Sequence, residues 1–267
     1  MHRVGARGRF QDNSEMVVKK PLPRIARSSP TLPETSPLQY WLGSAFAVAI
    51  ASPEIADSQL FREERAYIAG ATENRREEFG AVRVCARRAL ASLDVDAGAL
   101  VPNGDRSPSW PEGVIGSLAH CRDLCIAVVT TEPHVLGVGI DVETCTAVDL
   151  GLESVVCTET ERRFIDSYPR YLRDDLRTMI FCAKEAVYKC QYPITKFFLD
   201  FLDIEITIAE SLDTFVVAKV HHDPDISQLL SRVGGSIVQL NGFTFAVATL
   251  TASMSAEASS TTKAVRS

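Results

Sequence analysis

The sequence predicts a fold of mixed α-helix and β-strand, enclosed between two irregular tails. Two stretches, 73–93 and 174–191, carry apolar residues at helical spacing. Shorter apolar runs such as 135–142 are bounded by glycines and turn residues, which is typical of strands. With 267 residues, the chain is long enough for one large domain or two small ones.

The composition excludes several classes of protein. A content of 46% hydrophobic and 23% charged residues is ordinary for a globular protein. The formal net charge of −6 argues against a nucleic-acid-binding surface. The seven cysteines are odd in number and form no CxxC pair, so neither a zinc site nor a disulfide framework is indicated. Reduced thiols in a cytoplasmic protein without membrane or nucleic-acid partners are the simplest explanation.

The two ends of the chain are predicted to be disordered, over 1–37 and 252–267. The first 36 residues hold seven Lys and Arg against three acids, together with several prolines and serines. The last segment is rich in Ser, Thr and Ala. We therefore expect a chain that begins near Leu38 to keep its stability and activity.

An apolar run from Trp41 to Ala51 follows the first tail and imitates the core of a signal peptide. The basic region before it is too long for a signal peptide, and the run is too short to span a membrane. Alanines alternate with larger apolar residues from Ala45 to Ile50, which predicts a buried first strand.

Two helices are predicted next, over about 58–69 and 73–93. Five arginines lie off the apolar stripe of the second helix: Arg75, Arg76, Arg83, Arg87 and Arg88. Guanidinium groups clustered on one helix suit phosphate, which they grip with paired hydrogen bonds. A solvated face paired with neighbouring glutamates is the alternative, and this stretch alone favours it. Helical geometry places Arg76 on the face of Arg83, with Arg75 about 80° away from Arg83.

A loop and three short strands come after these helices. The loop over 95–113 is rich in proline and glycine, and Arg106 is its only cation. The strands are predicted over 116–120, 124–130 and 135–142, with His120 closing the first. A lone histidine at a strand end is more often structural, although a protonated imidazole also binds phosphate through two donors.

Asp141 and Glu143 stand two residues apart near the end of the third of these strands. Because side chains alternate along a strand, the two carboxylates share one face, whereas Ile140 and Val142 point to the core. Such a pair persists because a cation lies between the acids or because both are solvated. Mg²⁺ is a cation that one or two carboxylates hold together with substrate phosphates. This stretch alone leaves both explanations open.

The helix predicted over 174–191 places Lys184, Glu185 and Lys189 together on one face. An ordinary amphipathic helix with one Glu-to-Lys pair, worth about 0.3–0.5 kcal/mol, is the alternative. Four strands are predicted after it, over 204–208, 215–220, 236–240 and 243–250, with a hairpin at Asn241-Gly242.

Four motifs occur together in a characteristic order. They are Arg75-Arg76-Glu-Glu-Phe79 with Val82-Arg83-Val-Cys-Ala-Arg87, Arg106-Ser-Pro-Ser-Trp110 leading to His120, Gly139-Ile-Asp-Val-Glu143, and Phe181-Cys-Ala-Lys-Glu-Ala-Val-Tyr-Lys189. Over about 42–250 the chain thereby resembles the 4′-phosphopantetheinyl transferases, in particular those of the enterobactin-synthase type. The resemblance implies an α+β fold, a pseudo-dimer of two similar α+β subdomains with the active site between them. The implied division is a coenzyme A-binding half over 38–134, and a half with the metal site and the carrier-docking surface over 135–251.

The resemblance also implies an activity. These enzymes transfer the 4′-phosphopantetheine arm of coenzyme A to a serine of an acyl or peptidyl carrier protein, with Mg²⁺, and release 3′,5′-ADP. We expect such an enzyme to act here as a monomer. A coenzyme A- or carrier-binding module without catalysis and another Mg²⁺-dependent phosphate-ester hydrolase are the competing functions. All three metal-type acids are present, which argues against the inert module.

By position, the motifs imply a role for each residue of the site. The implied metal ligands are Asp141, Glu143 and Glu185, the implied coenzyme A-binding residues are Arg75, Arg83, Arg106, His120, Lys184 and Lys189, and the implied catalytic residues are Glu185, Lys184 and Lys189. For the partner of Arg83, the resemblance favours Arg75 over Arg76. Asn103 stands where close relatives have lysine, and Ala119 where many have Ser or Thr, so we expect weaker affinity for coenzyme A.

Overall fold

The computed structural model describes residues 30–53, 59–145, 147–148, 150–222 and 224–252. The predicted disorder of 1–29 and 253–267 lies outside this part of the chain. The helices are α1 (Thr35–Leu42), α2 (Arg62–Ile68), α3 (Glu73–Ala91), α4 (Leu150–Val156), α5 (Glu159–Asp166), α6 (Arg173–Thr195) and α7 (Pro224–Leu230). The strands are β1 (Ala47–Ala51), β2 (Ile115–Cys121), β3 (Leu124–Thr130), β4 (Val135–Thr144), β5 (Ile204–Ile208), β6 (Thr214–Val220), β7 (Val233–Leu240) and β8 (Phe243–Thr251).

One plan occurs twice in the chain, as an antiparallel sheet with a long helix packed against it. The first sheet has the order β1-β3-β2 and carries α3. The second has the order β4-β8-β7-β6-β5 and carries α6. In both sheets the first strand pairs with the last strand of the half, and the last with the strand before it. The predicted α+β fold of two similar halves is confirmed, and we propose that they divide where β4 begins, at Val135.

Small residues let α6 approach its sheet closely. A Cβ atom added to Gly139 on β4 would lie 1.9 Å from the carbonyl oxygen of Ala186. One added to Gly137 would lie 2.6 Å from the carbonyl oxygen of Cys190. The two glycines therefore set the distance between β4, which carries Asp141, and the helix that carries Glu185.

The two halves share a core in which β4 packs against β2 and β3. Val138, Ile140 and Val142 of β4 are buried together with apolar residues of the first sheet. The Ile140 N–H also donates to Ser117 Oγ at 3.0 Å, which ties the acidic strand to β2. The side of β4 opposite Asp141 is thus held by the first half.

Helix α1 precedes the first strand and was not predicted from the sequence. Its Leu38 is fully buried in the core that joins the halves, and Trp41 packs against the same core. Pro37 occupies the third helical position, where the missing N–H has no intrahelical partner, so this proline does not prevent the helix. Residues 35–37, the last three of the segment predicted to be disordered, lie in this helix, and the first strand begins only at Ala47.

The seven cysteines all lie in the described part of the chain, and all are free thiols. Within that same part, no helix is long and apolar enough to cross a membrane.

Candidate active site

A cleft with a volume of about 700 Å³ lies between the two halves. Helix α3, the loop before β2, the strand β2, the start of β4 and the C-terminal half of α6 all contribute side chains to it. Cations from both halves line the cleft: Arg75, Arg83, Arg106, His120, Lys189 and Lys196. In a chain with a formal net charge of −6, this concentration of positive charge indicates a polyanionic ligand.

Arg83 is held rigidly at the wall of the cleft. Its side chain is buried, its Nε donates to the carbonyl oxygen of Leu100 at 3.2 Å, and its guanidinium lies 3.7 Å from the centre of the Phe79 ring. Burial lowers the pKa of Arg83 to about 10, and nearby Glu64 partly opposes that shift. Arg83 therefore remains charged at neutral pH and is fixed in place before any ligand arrives.

Arg75 of α3 and His120 of β2 lie next to each other. Arg75 Nη1 lies 3.3 Å from His120 Nε2 and 3.4 Å from a carboxylate oxygen of Glu78. Burial is the main cause that lowers the pKa of His120, and the charge of Arg75 adds to it while Glu78 opposes it. Arg75 lines the cleft and Arg76 does not, which agrees with the motif resemblance rather than with helical geometry alone.

The acidic residues gather where β4 faces α6. Asp141 is 5% exposed, its Oδ1 accepts from Lys189 Nζ at 2.6 Å, and its buried Oδ2 has no hydrogen-bond partner in the described structure. Burial, followed by the charge of Asp141, raises the pKa of Glu143 to about 7. Burial also raises the pKa of Glu185, with Lys189 opposing and Asp141 adding to the shift. Burial disfavours the charge of Lys189, but Asp141 and Glu185 outweigh it and raise the pKa of that ammonium.

These acids have the chemistry of a site for a hard divalent cation. Their donors are all oxygens, and a cation would give a partner to the buried Asp141 Oδ2. It would also offset the burial and the charge of Asp141, which together raise the pKa of Glu143. Among the described residues, however, no three His, Cys, Asp or Glu side chains are already arranged around a metal position. The Lys189 ammonium lies between two of the acids, 2.6 Å from Asp141 and 3.8 Å from Glu185. Metal binding at these residues therefore requires Lys189 to turn away from Asp141.

Lys184 does not line the cleft, where its predicted roles in coenzyme A binding and in catalysis would place it. Its side chain is 1% exposed and donates to Glu161 Oε2 at 2.7 Å, to the Val156 carbonyl at 2.9 Å and to the Phe201 carbonyl at 2.7 Å. Lys184 and Glu185 both border a small pocket beside α6, but the Lys184 ammonium is bonded to Glu161 and to the two carbonyl groups. All three ammonium protons of Lys184 are engaged, and none is available to a phosphate.

The loop at the mouth of the cleft is braced by the residue that departs from the family pattern. Asn103 Nδ2 donates to Ser107 Oγ at 3.0 Å and to the Pro108 carbonyl at 3.3 Å. Arg106 adopts a left-handed backbone conformation (φ 68°) at the tip of this loop and lines the cleft. Asn103 thus shapes the loop that presents Arg106, although it supplies no charge.

Sequence analysis missed Lys196, which follows the C-terminal end of α6. Its Nζ donates to Asp105 at 2.8 Å and thereby links the second half to the loop at the mouth of the cleft. Tyr188 and Tyr192 line the cleft beside it. The three residues are spaced by four, as on one helix face, but the helix was predicted to end at 191 and its last turn was overlooked.

Comparisons with known proteins match both halves of the chain to one family. Residues 63–130 match the family described as the 4′-phosphopantetheinyl transferase N-terminal domain, and residues 137–247 match the 4′-phosphopantetheinyl transferase superfamily. The 4′-phosphopantetheinyl transferase Svp of Streptomyces mobaraensis is 37% identical over 61% of this chain and 67% of its own length. The 4′-phosphopantetheinyl transferase PptT of Mycobacterium tuberculosis is 39% identical over 54% of this chain and 63% of its own length.

A solved structure with a related description is also similar to part of the chain. The holo-(acyl-carrier-protein) synthase of Bacillus anthracis, in complex with coenzyme A (3′,5′-ADP), matches with 22% identity and a TM-score of 0.34. The match covers 45% of this chain and 99% of that one. On the family models and on the relative from Streptomyces, the chain belongs to the 4′-phosphopantetheinyl transferase superfamily.

Proposed function

We propose that this protein transfers the 4′-phosphopantetheine arm of coenzyme A to a serine of an acyl or peptidyl carrier protein and releases 3′,5′-ADP. The observation that carries the proposal is the cleft itself. Along it, cations from both halves run up to Lys189, which is paired with the acids of β4 and α6. A polyanion bound along the cations would place one end at the acids, where phosphoryl-group chemistry requires charge neutralisation and alignment.

Coenzyme A fits the cations of the cleft. Arg83 and His120, with Arg75, form the group that we assign to the nucleotide and its 3′-phosphate, because a guanidinium can grip phosphate with paired hydrogen bonds. Arg106 reaches the cleft from the loop and is assigned to the same substrate. Lys189 lies nearest the acids and is assigned to the pyrophosphate.

Asp141, Glu143 and Glu185 would hold Mg²⁺ together with the phosphates of the substrate. The bound ion would neutralise negative charge on the pyrophosphate and polarise its β-phosphate. The residues that this chain contributes are an oxygen-only donor set on two rigid elements, a strand and a long helix.

Glu185 is the residue that we assign to proton transfer. Burial raises the pKa of its carboxyl, and a raised pKa suits a base that works near neutral pH. Glu185 takes the proton of the carrier serine, whose oxygen forms a bond to the phosphorus next to pantetheine. The bond from that phosphorus to the bridging oxygen breaks, and 3′,5′-ADP leaves with the electron pair. Lys189 remains protonated and can donate to the oxygen of the leaving group.

An apolar surface beside Glu185 is suited to docking the carrier. Glu185 shares a small pocket with Tyr188, Phe198 and Phe201, and Phe198 is among the most exposed large apolar residues of the described chain. This apolar surface continues over the exposed Leu202 and over α4, which contacts residues 201–203 and begins with the exposed Leu150. Both halves of the cleft come from one chain, so we propose that the protein works as a monomer.

The test is the mass of the carrier after incubation of an apo acyl carrier protein with this protein, coenzyme A and MgCl₂. We expect the carrier to gain a phosphopantetheine arm, and 3′,5′-ADP to appear in equal amount. The variant Glu185→Gln is expected to lose the transfer, whereas Glu132→Gln, which changes an exposed acid before β4, is expected to keep it. Free 4′-phosphopantetheine without carrier modification would favour a hydrolase, and coenzyme A binding with no product would favour an inert module.

A further inference from the structure

A buried ion pair connects α6 to the segments that precede and follow it in the chain. Glu161, the third residue of α5, is 1% exposed and accepts from Lys184 at 2.7 Å. Its other oxygen accepts from the N–H of Ile206 on β5 at 2.7 Å. Lys184 in turn donates to the carbonyls of Val156 and Phe201. One ion pair thus joins α6 to the helix before it and to the segment after it.

A second ion pair in the first half has the same construction. Glu64, the third residue of α2, is 0% exposed and accepts from Arg87 of α3 at 2.7 Å. The same carboxylate accepts from the N–H of Leu100, beyond the end of α3, at 2.9 Å. Arg87 also donates to the Gln59 carbonyl. This pair likewise joins a long helix to the short helix before it and to the segment after it.

The correspondence between the two pairs is close. In each, the acid precedes its cation by 23 residues, occupies the third position of a short helix and accepts from the backbone of the segment that follows the long helix. Since in both sheets the first strand of the half pairs with the last, and the last with the strand before it, Lys184 is the counterpart of Arg87. A buried ion pair is a weak source of stability, because desolvation of the charges offsets their attraction. A role in placing the neighbouring residues is therefore the better explanation for its presence in both halves.

Each pair lies next to a different part of the proposed site. Leu100 donates its N–H to Glu64 and accepts with its carbonyl from Arg83, so the first pair fixes the residue against which Arg83 rests. Lys184 immediately precedes Glu185, and both line a small pocket that is closed by the segment around Phe201. Helix α6 also rests on Gly139. These contacts together determine the rotation of the helix and hence the direction of Glu185.

We propose that the two ion pairs are positioning devices with separate effects, Glu161–Lys184 on the proton transfer by Glu185 and Glu64–Arg87 on the binding of coenzyme A by Arg83. The proposal rests on the function proposed above. It assigns to Lys184 a role that acts through its neighbour, without contact to the substrate.

The test compares two double variants that remove the charges and retain an acceptor oxygen and an aliphatic chain. They are Glu161→Gln with Lys184→Met, and Glu64→Gln with Arg87→Met. For each we measure kcat and KM for coenzyme A with apo carrier protein, coenzyme A affinity by calorimetry, and the melting temperature. We expect the first to lower kcat about 10- to 100-fold, as a misplacement of about 1 Å does, with KM within about threefold of wild type. We expect the second to weaken coenzyme A binding about tenfold, with kcat close to wild type.

The outcomes separate the proposal from the function on which it rests. A wild-type protein that does not modify the carrier overturns the proposed function, while the calorimetric comparison of the second variant still tests the first-half pair. Equal changes in kcat and KM in both variants, or a lower melting temperature with unchanged kinetics, would overturn the positioning roles. A double variant that does not fold would show that its pair anchors the fold, and would overturn the proposal for that half.

Discussion

Gly139→Ala tests the close contact between β4 and α6, on which the candidate site depends. The added Cβ would lie 1.9 Å from the Ala186 carbonyl oxygen and 2.6 Å from the Cys190 nitrogen, and both are backbone atoms that cannot rotate away. The first distance must grow by about 1.1 Å to reach the 3.0 Å below which real Cβ contacts are essentially absent. We therefore expect α6 to shift away from Asp141 by about 1 Å.

The expected consequences are separate for stability and for activity. Overpacking of this kind costs about 1–3 kcal/mol, which corresponds to a melting temperature lower by about 2–12 °C in a protein of this size. A displacement of about 1 Å between Glu185 and Asp141 is expected to reduce transfer about 100-fold at temperatures where the variant is folded. The measurements are a thermal melt and the mass of the carrier over time.

Gly98→Ala is the matched control, because a Cβ at Gly98 meets no atom within 4 Å. We expect the control to melt and transfer like wild type. A Gly139→Ala protein with wild-type melting temperature and wild-type transfer would refute the close packing of α6 on β4, and with it our account of how Glu185 is placed.

Three further predictions concern the N-terminus, the arginines and pH. A chain that begins at Pro30 should have the melting temperature of the full protein. A chain that begins at Leu38 should have a lower melting temperature, because it loses the first turn of α1. Equal melting temperatures of the two shortened chains would contradict a stabilising role of that helix. Arg83→Ala should raise KM for coenzyme A more than KM for 3′-dephospho-coenzyme A, with Arg76→Ala as the control outside the cleft, and equal effects on both substrates would assign Arg83 elsewhere. With EDTA present, Glu143→Gln should increase the melting temperature above about pH 7 and not below pH 4.5. Burial and Asp141 raise the pKa of Glu143 from 4.5 to about 7, so ionisation of this carboxyl is less favourable in the folded protein than in the unfolded chain. The folded wild-type protein therefore loses stability relative to the variant as pH rises from 4.5 to about 7, and no such loss exists below pH 4.5. Parallel melting curves of the two proteins from pH 4.5 to 8 would contradict the raised pKa.

Local patterns predicted the elements that carry the site. Alternation on β4 placed Asp141 and Glu143 on one face opposite the core, and helical spacing placed Glu185 and Lys189 on one side of α6. These relations depend only on the period of a strand or a helix, which the sequence reveals directly. The strand order and the closeness of β4 to α6 depend on contacts between distant residues. The glycines and the helix were each visible in the sequence, but the sequence did not show that this helix packs against these glycines.

The errors have the same origin. The family motif implied coenzyme A binding and catalysis for Lys184, but its ammonium is bonded to Glu161, an acid 23 residues away on α5. Helix α1 was missed because Pro37 and the basic segment before it favoured disorder, whereas the buried Leu38 gains its stability from the core between the halves. Lys196 was missed because the last turn of α6 contains Pro193. In each case the contact that matters joins distant residues: Lys184 to Glu161, Leu38 to the core between the halves, and Lys196 to Asp105.

The position of Lys189 explains why the site needs both halves. Its ammonium is the point where the cations of the cleft meet the acids of β4 and α6. Asp141 and Glu185 raise the pKa of Lys189, so this positive charge persists across the physiological range of pH. A divalent cation at the acids would compete with Lys189 for Asp141, and a pyrophosphate in the cleft would offer Lys189 another partner. Binding of the two would then be mutually favourable, because the Lys189 ammonium would be released from Asp141 and could pair with the phosphate instead. Because the ammonium stands on α6, Asp141 on β4 and the arginines of the cleft on the first half, this coupling would require the two halves to be packed together.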